Sequence, residues 1–137
     1  MKNNIGIEAI EYFLPKKITT SSELADSFGY DLDFIEQKIG IKKLYSSSKN
    51  SSTKLGVKAM EKLLKRFPNL RDEIDLLVVC TQTPDYQLPQ VSSQIQDLCK
   101  LPNTIIAFDI SLGCSGFVYG LSIIESMMKS LNLKKAV

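Results

Sequence analysis

Two runs of branched apolar residues constrain this chain more than any other feature. "IDLLVVCT" covers residues 74–81 and "TIIAFDIS" covers residues 104–111. Neither alternates polar with apolar residues, as a strand with one wet face would. Continuous apolar runs of this length fit strands covered on both faces, the situation of a parallel sheet. Parallel neighbours need a crossover between them. Residues 82–103 supply one: "TPDYQLP" reads as a loop, and Val91, Ile95 and Leu98 recur at helical spacing after Pro89.

The remaining segments extend the alternation. "IGIEAIEYFLP" (5–15) reads as a strand ending at Pro15. Thr20 followed by Glu23 is a capping-box pattern that opens a short helix, and Gly29 is placed to end it. "DLDFIEQKIG" (31–40) repeats that design, closing at Gly40. Residues 46–52 read as a polar loop, after which Ser52 or Thr53 caps a helix carrying Leu55, Ala59, Leu63 and Phe67 until Pro68 stops it. A helix over 114–131 carries Phe117, Leu121, Ile124, Met128 and Leu131 on one face, and "LKKAV" (133–137) leads into a further strand. Such alternation predicts an α/β fold with right-handed crossovers. There is no internal repeat, and the serine run is the single low-complexity patch.

Composition excludes several classes. With 137 residues, 44% of them apolar and 23% charged, the chain suits one ordinary globular domain with a real core. Net charge is +2, and of 17 basic residues only Arg66 and Arg71 are arginine. Planar bidentate readout of bases and phosphates favours arginine, so no nucleic-acid partner is expected. No apolar run approaches the roughly 18 residues that span a bilayer, so no membrane partner is expected either. The N-terminus lacks the pattern of a secretory signal. Three widely spaced cysteines then suggest reduced thiols and a cytoplasmic location. There is no histidine.

The cysteines differ in setting. Cys80 lies inside an apolar strand and Cys99 near the end of the helix over 91–98, so both are expected to pack in the core. Cys114 stands between Gly113 and Gly116, after one strand and at the head of a helix. Glycines permit a sharp turn there, and a helix N-terminus offers unpaired N–H groups that favour a thiolate. From these residues alone Cys114 is either a nucleophile on a strand-to-helix turn or a small residue at a helix–strand packing point.

A resemblance to a known family bears on that choice. "GIEAIEYFLPKKITTSSELA" resembles the opening strand, proline turn and first helix of the β-ketoacyl-acyl-carrier-protein synthase III family, whose members are thiolase-fold condensing enzymes. "FIEQKIGIKK" resembles its Trp-Ile-x-x-Arg-Thr-Gly-Ile segment, and "DLLVVCTQTPDYQLPQVSSQIQ" its strand, Thr-x-Thr-Pro-Asp loop and following helix. "AFDISLGCSGFVYGLS" resembles the stretch that carries the nucleophilic cysteine. The four segments occur in the family's order and span essentially the whole chain.

The resemblance implies an N-terminal thiolase-like half over residues 1–137, with a mixed, mostly parallel sheet and helices on its faces. It implies an acyltransferase of fatty-acid-type biosynthesis in which Cys114 is loaded from an acyl thioester. A decarboxylative Claisen condensation with malonyl-acyl-carrier protein would follow, giving a 3-oxoacyl product. The intact enzyme would be a homodimer with coenzyme A thioesters and acyl-carrier protein as partners, and would need no metal or resident cofactor. Phe34 and Lys38 stand where the family usually has the Trp and Arg that hold the adenine end of coenzyme A. Phe can stack on a base, Lys keeps the charge without the planar fork, and Ile39 replaces a Thr. These departures leave coenzyme A and another acyl thioester both open as the donor. Leu88 stands where related enzymes place a residue that reaches the neighbouring subunit's acyl pocket, and a Leu there would admit a longer or branched chain. The family's catalytic His and Asn belong to its second half, so the chain reads as a fragment that is inactive in condensation. Two alternatives stay open: a condensing enzyme of secondary metabolism with a different acceptor, and a non-catalytic half-domain that binds a partner.

Overall fold

The computed structural model describes residues 5–46 and 51–137. They fall into two compact units, Leu14–Asn50 and a larger one made of Met1–Phe13 with Ser51–Val137. The larger unit contains α2 (Ser52–Arg66), α3 (Leu70–Glu73), β3 (Leu76–Cys80), α4 (Val91–Leu98), β4 (Ile106–Ile110) and α5 (Gly116–Leu131). β3 and β4 pair in parallel from Leu76↔Ile106 to Cys80↔Ile110. Ala136 forms an isolated parallel bridge to Leu76, beside β3. The parallel pairing expected from the two apolar runs is therefore present, and the fold is a partial thiolase-like α/β arrangement.

The core lies where α2 and α4 pack on this pair. Met60 and Leu64 from α2, Val91 and Ile95 from α4, Leu77 from β3 and the flanking Ile74, Leu101 and Ile105 form one cluster. Leu76 and Val91 are fully buried. Burying one such side chain contributes roughly 1.5–3 kcal/mol. Cys99 belongs to the same cluster, as the sequence predicts. Burial pushes its thiol pKa up, the nearby Glu61 adds to that, and Arg71 works against it.

Three carboxylates hold these elements in place. Asp109 of β4 accepts from the N–H groups of Val91 and Ser92 at 2.8 Å each, at the start of α4. Asp85, in the loop after β3, accepts from Ser52 and Thr53 N–H at 2.9 and 3.0 Å, at the start of α2. Asp75 accepts from Lys134 and Lys135 N–H and fixes the C-terminal segment beside β3. A carboxylate at a helix N-terminus satisfies orphan N–H groups and meets the positive end of the dipole. The side-chain cap of α2 itself is Ser51, one residue before the expected Ser52 or Thr53.

The smaller unit holds β1 (Lys17–Thr20), α1 (Ser21–Phe28) and β2 (Lys43–Ser46), with a π-helical stretch over Phe34–Ile39. β1 and β2 are antiparallel. Thr20 and Glu23 form the expected capping box, and Gly29 and Gly40 end their segments at φ +68° and +80°, where a side chain would be strained. The sequence reading missed β1, β2 and α3. It placed a loop over 46–52; residues 47–50 lie outside the described residues, while Ser46 ends β2 and Ser52 opens α2.

Two expectations are corrected. Residues 5–15 are not a strand. Alternation of side chains is only half of what a strand requires; the other half is a backbone partner, and among the described residues this segment has none. It is tethered instead by side chains, with Arg66 on Glu11 at 3.1 Å and Lys62 donating to the Tyr12 carbonyl at 2.9 Å. Cys80 is not in the core either. It is the last residue of β3 and is exposed, because burial falls from Leu76 to the carboxyl end of the strand.

Asp85 makes the acid sensitivity of this unit testable. Burial works against its carboxylate, but the Thr53 and Ser51 hydroxyls and the Thr53 and Ser52 amides outweigh that and hold its pKa below the ordinary value. The Thr53 hydroxyl stands close enough to contribute without closing a hydrogen bond of good geometry. A depressed folded-state pKa gives stability that is present above the unfolded pKa of about 4 and lost as pH falls through the folded value. Asp85→Asn is therefore expected to lower stability at pH 7 and to flatten its decline below about pH 4. Urea midpoints measured across acid pH check this, and an unchanged acid limb would contradict it.

Candidate active site

The carboxyl ends of parallel strands are where α/β folds place their ligands. Here those ends are Cys80 and Ile110. The loop leaving β3 carries Gln82, Asp85 and Leu88, and the loop leaving β4 carries Gly113 and Cys114. Cys114 is exposed. It sits in a turn that Gly116 N–H closes onto the Gly113 carbonyl at 2.8 Å. The helix expected from residue 114 begins at Gly116, so Cys114 lies just outside the helix head rather than in its first turn.

The head of α5 is unusually open. Its N-cap, Ser115, has helical backbone angles and makes no capping bond with its side chain. Among the described residues, no acceptor meets the N–H groups of Phe117 and Val118. Such groups suit a negatively charged oxygen. By contrast, α2 and α4 have their free amides filled by Asp85 and Asp109.

Close packing forms the floor of this turn. Cys80 donates its thiol proton to the Leu112 carbonyl at 3.4 Å. A Cβ on Gly116 would overlap the Cys80 sulfur, and one on Gly113 would stand 2.7 Å from Gln82 Oε1. Both glycines flanking Cys114 are thus places where the chain passes against the end of β3. The two sequence readings of Gly113 and Gly116, sharp turn and tight packing, describe the same residues. Cys80 and Gln82 are the side chains that sequence reasoning did not place here. Their place at the carboxyl end of the apolar run, Cys80 as its last strand residue and Gln82 in the loop just after it, was the available signal.

The other expected residues separate. Leu88, at 81% exposure, lies on the β3 loop in the same unit as Cys114. Phe34 and Lys38 belong to the smaller unit. They line one open depression with Gly29, Tyr30, Asp31, Asp33 and Gln37. Phe34 is half-exposed there, and its ring lies 5.8 Å from that of Tyr30, which in turn stacks on Phe28 at 6.4 Å. The sequence reading singled out Phe34 alone. Tyr30 adds a second aromatic ring, tilted 44° to that of Phe34, to the depression that Lys38 lines. Among the described residues no cluster of metal-binding side chains occurs, and no helix is long and apolar enough to cross a membrane.

Comparison with known proteins agrees with the resemblance carried by the four segments. The chain is 32% identical over 138 aligned residues to the beta-ketoacyl-[acyl-carrier-protein] synthase III 2 of Bacillus anthracis, covering 100% of this chain and 42% of that protein. It is 31% identical to the synthase III of Streptococcus suis, covering 95% and 40%. Among solved structures, the synthase III of Thermus thermophilus superposes with a TM-score of 0.85 at 26% identity, covering 96% of this chain and 41% of that one. MvaS in complex with 3-hydroxy-3-methylglutaryl coenzyme A superposes equally, at 0.85 and 27% identity over 95% and 31%. No family model matches the chain. The chain spans about two-fifths of the length of the curated relatives it matches.

The packing at Gly116 gives a test of this site's construction. Gly116→Ala is expected to destabilise the chain by about 1–3 kcal/mol through overpacking. Cys80→Ala in the same chain should recover most of that loss, since the overlap is with the Cys80 sulfur. Urea denaturation of the two single variants and the double variant reads the coupling. Additive effects would show that the sulfur and the helix head do not share this space.

Proposed function

We propose that the protein carrying this chain, which is similar in sequence and fold to β-ketoacyl-acyl-carrier-protein synthase III, is a condensing acyltransferase. Cys114 is its acyl-accepting nucleophile. The Cys114 sulfur attacks the carbonyl of an acyl thioester, the carbonyl oxygen takes the negative charge, and the donor thiol leaves as the acyl–sulfur bond to Cys114 is completed. N–H groups at the head of α5 supply donors for that charge. What carries this reading is the exposed cysteine on the turn between β4 and an α5 whose first amides are unfilled.

In the second half-reaction malonyl-acyl-carrier protein loses carbon dioxide and its carbanion attacks the Cys114 thioester. The carbon–carbon bond forms as the carbon–sulfur bond breaks, giving a 3-oxoacyl product and freeing the thiol. That step needs hydrogen-bond donors on the thioester oxygen as the enolate forms. The chain contains no histidine, and the resemblance assigns these donors to a His and an Asn outside the matched segments. Phe34 and Lys38, with Tyr30 beside them, are the proposed contacts for the adenine end of a coenzyme A donor, and Leu88, exposed on its loop, is the proposed residue that reaches the neighbouring subunit's acyl pocket. A cytoplasmic homodimer is the proposed working state. The similarity to MvaS favours, as a second reading, condensation onto a different acceptor.

Mass spectrometry with peptide mapping tests the loading step. After mixing the 137-residue chain with a short acyl-coenzyme A, the acyl mass is expected on the peptide containing Cys114 and on neither Cys80 nor Cys99. Cys114→Ser should remove nearly all of it, because an alcohol ionises far less readily at neutral pH. Label on Cys80 or Cys99, or undiminished label in the variant, would overturn the assignment. With malonyl-acyl-carrier protein added, the same chain is expected to give no ketoacyl product. Product above that of Cys114→Ala would place the decarboxylation groups within these residues.

A further inference from the structure

The acyl-transfer reading uses one exposed cysteine and leaves the other unexplained. Cys80 and Cys114 are both exposed, whereas Cys99 is buried in the core. The Cys80 sulfur touches the chain on both sides of Cys114. It donates to the carbonyl of Leu112, two residues before, and lies against Cα of Gly116, two residues after. The intervening residues form the turn closed by Gly116 N–H on the Gly113 carbonyl. A disulfide requires Cα atoms within about 7 Å. Residues 112–116 thus pass over the Cys80 sulfur with Cys114 at their middle, so the two exposed thiols share one strand-to-helix turn, and a bridge would form by rotation about the Cys114 side chain with movement of that turn.

We propose that Cys80 and Cys114 form a reversible disulfide under attack by a hydroperoxide, with Cys80 as the resolving thiol. The Cys114 sulfur attacks one peroxide oxygen, the oxygen–oxygen bond breaks, and the thiol proton leaves with the departing oxygen as water or alcohol. This leaves Cys114 as a sulfenic acid. The Cys80 sulfur then attacks the Cys114 sulfur, a second water departs, and the disulfide forms. Two thiols lose two electrons in all and the hydroperoxide is reduced by two. A dithiol returns both cysteines to their reduced state. The bridge would hold Cys114 away from irreversible oxidation. Its consequence for acyl transfer rests on the function proposed above; the bridge itself does not.

The fully reduced 137-residue chain is treated with equimolar hydrogen peroxide, its remaining thiols are alkylated in denaturant, and it is digested without reduction. The expected product is a peptide joining Cys80 to Cys114, carried by a chain that runs as a monomer on a non-reducing gel and lost after dithiothreitol. Cys99 should be recovered alkylated. In Cys80→Ser, dimedone trapping of Cys114 sulfenic acid should rise several-fold, and Cys80→Ala guards against a fault in folding of the first variant. Oxidation of wild-type Cys114 to a trapped sulfenic or sulfinic acid with no bridge would overturn the proposal. So would a bridge to Cys99, or one found only between two chains. Acyl labelling of the reduced sample is read separately. Label without the bridge defeats this inference alone, and a bridge without label defeats the acyltransferase reading alone.

Discussion

The Asp109 carboxylate is the contact on which the larger unit depends. Its two oxygens take the N–H groups of Val91 and Ser92 at 2.8 Å each, and both of those residues are fully buried. A buried N–H without an acceptor costs about 1–3 kcal/mol. The core can close over Val91 only because an acceptor from β4 reaches the same place. The Ser92 hydroxyl, equally buried, has no partner among the described residues, so the carboxylate's two bonds are the polar compensation at that helix head. Asp109 thereby couples the strand that leads to Cys114 to the helix that closes the core.

The same device appears at Asp85 and α2, and α2 and α4 then pack closely enough that a Cβ on Gly56 would overlap Ile95. α5 is held differently. It lies against β3, and its apolar stripe is largely open: Phe117 and Leu131 are exposed, and Phe117, Leu121, Ile124 and Met128 line a groove with residues 5–11 and the end of β3. Rigid capping on one side of the sheet and an uncapped, lightly packed helix on the other divide the unit into a scaffold and a reactive edge. A nucleophile gains from that division. The scaffold fixes the strand ends, while the helix head keeps donors that a capping side chain would otherwise occupy.

How much of this was legible in the sequence depends on whether the signal was local. β3 and β4 were readable because burial on both faces leaves a continuous apolar run. α1 was readable because Thr20 and Glu23 satisfy each other three residues apart. The segment 5–15 was misread because alternation describes side chains and says nothing about a backbone partner. Cys80 was misread because a run of apolar residues does not reveal where burial stops along it. The roles of Asp109 and Asp85 were invisible, since their partners lie 17 to 33 residues away. Tyr30 was overlooked although it lies only four residues before Phe34, because it directly follows Gly29, which ends α1, and reads as part of a connection.

At the site itself the sequence posed a choice that the geometry dissolves. A glycine beside a cysteine was to be either a turn residue for a nucleophile or a packing residue for a helix. Gly116 is both. Its N–H closes the turn on Gly113, and its missing side chain lets the α5 head settle on the Cys80 sulfur. That contact supports the turn from beneath, and Cys114, at the middle of the turn, is exposed. A residue larger than cysteine at position 80 would displace the helix head. The packing of one thiol thus underlies the turn that presents the other, which is why the two sulfurs must be considered together.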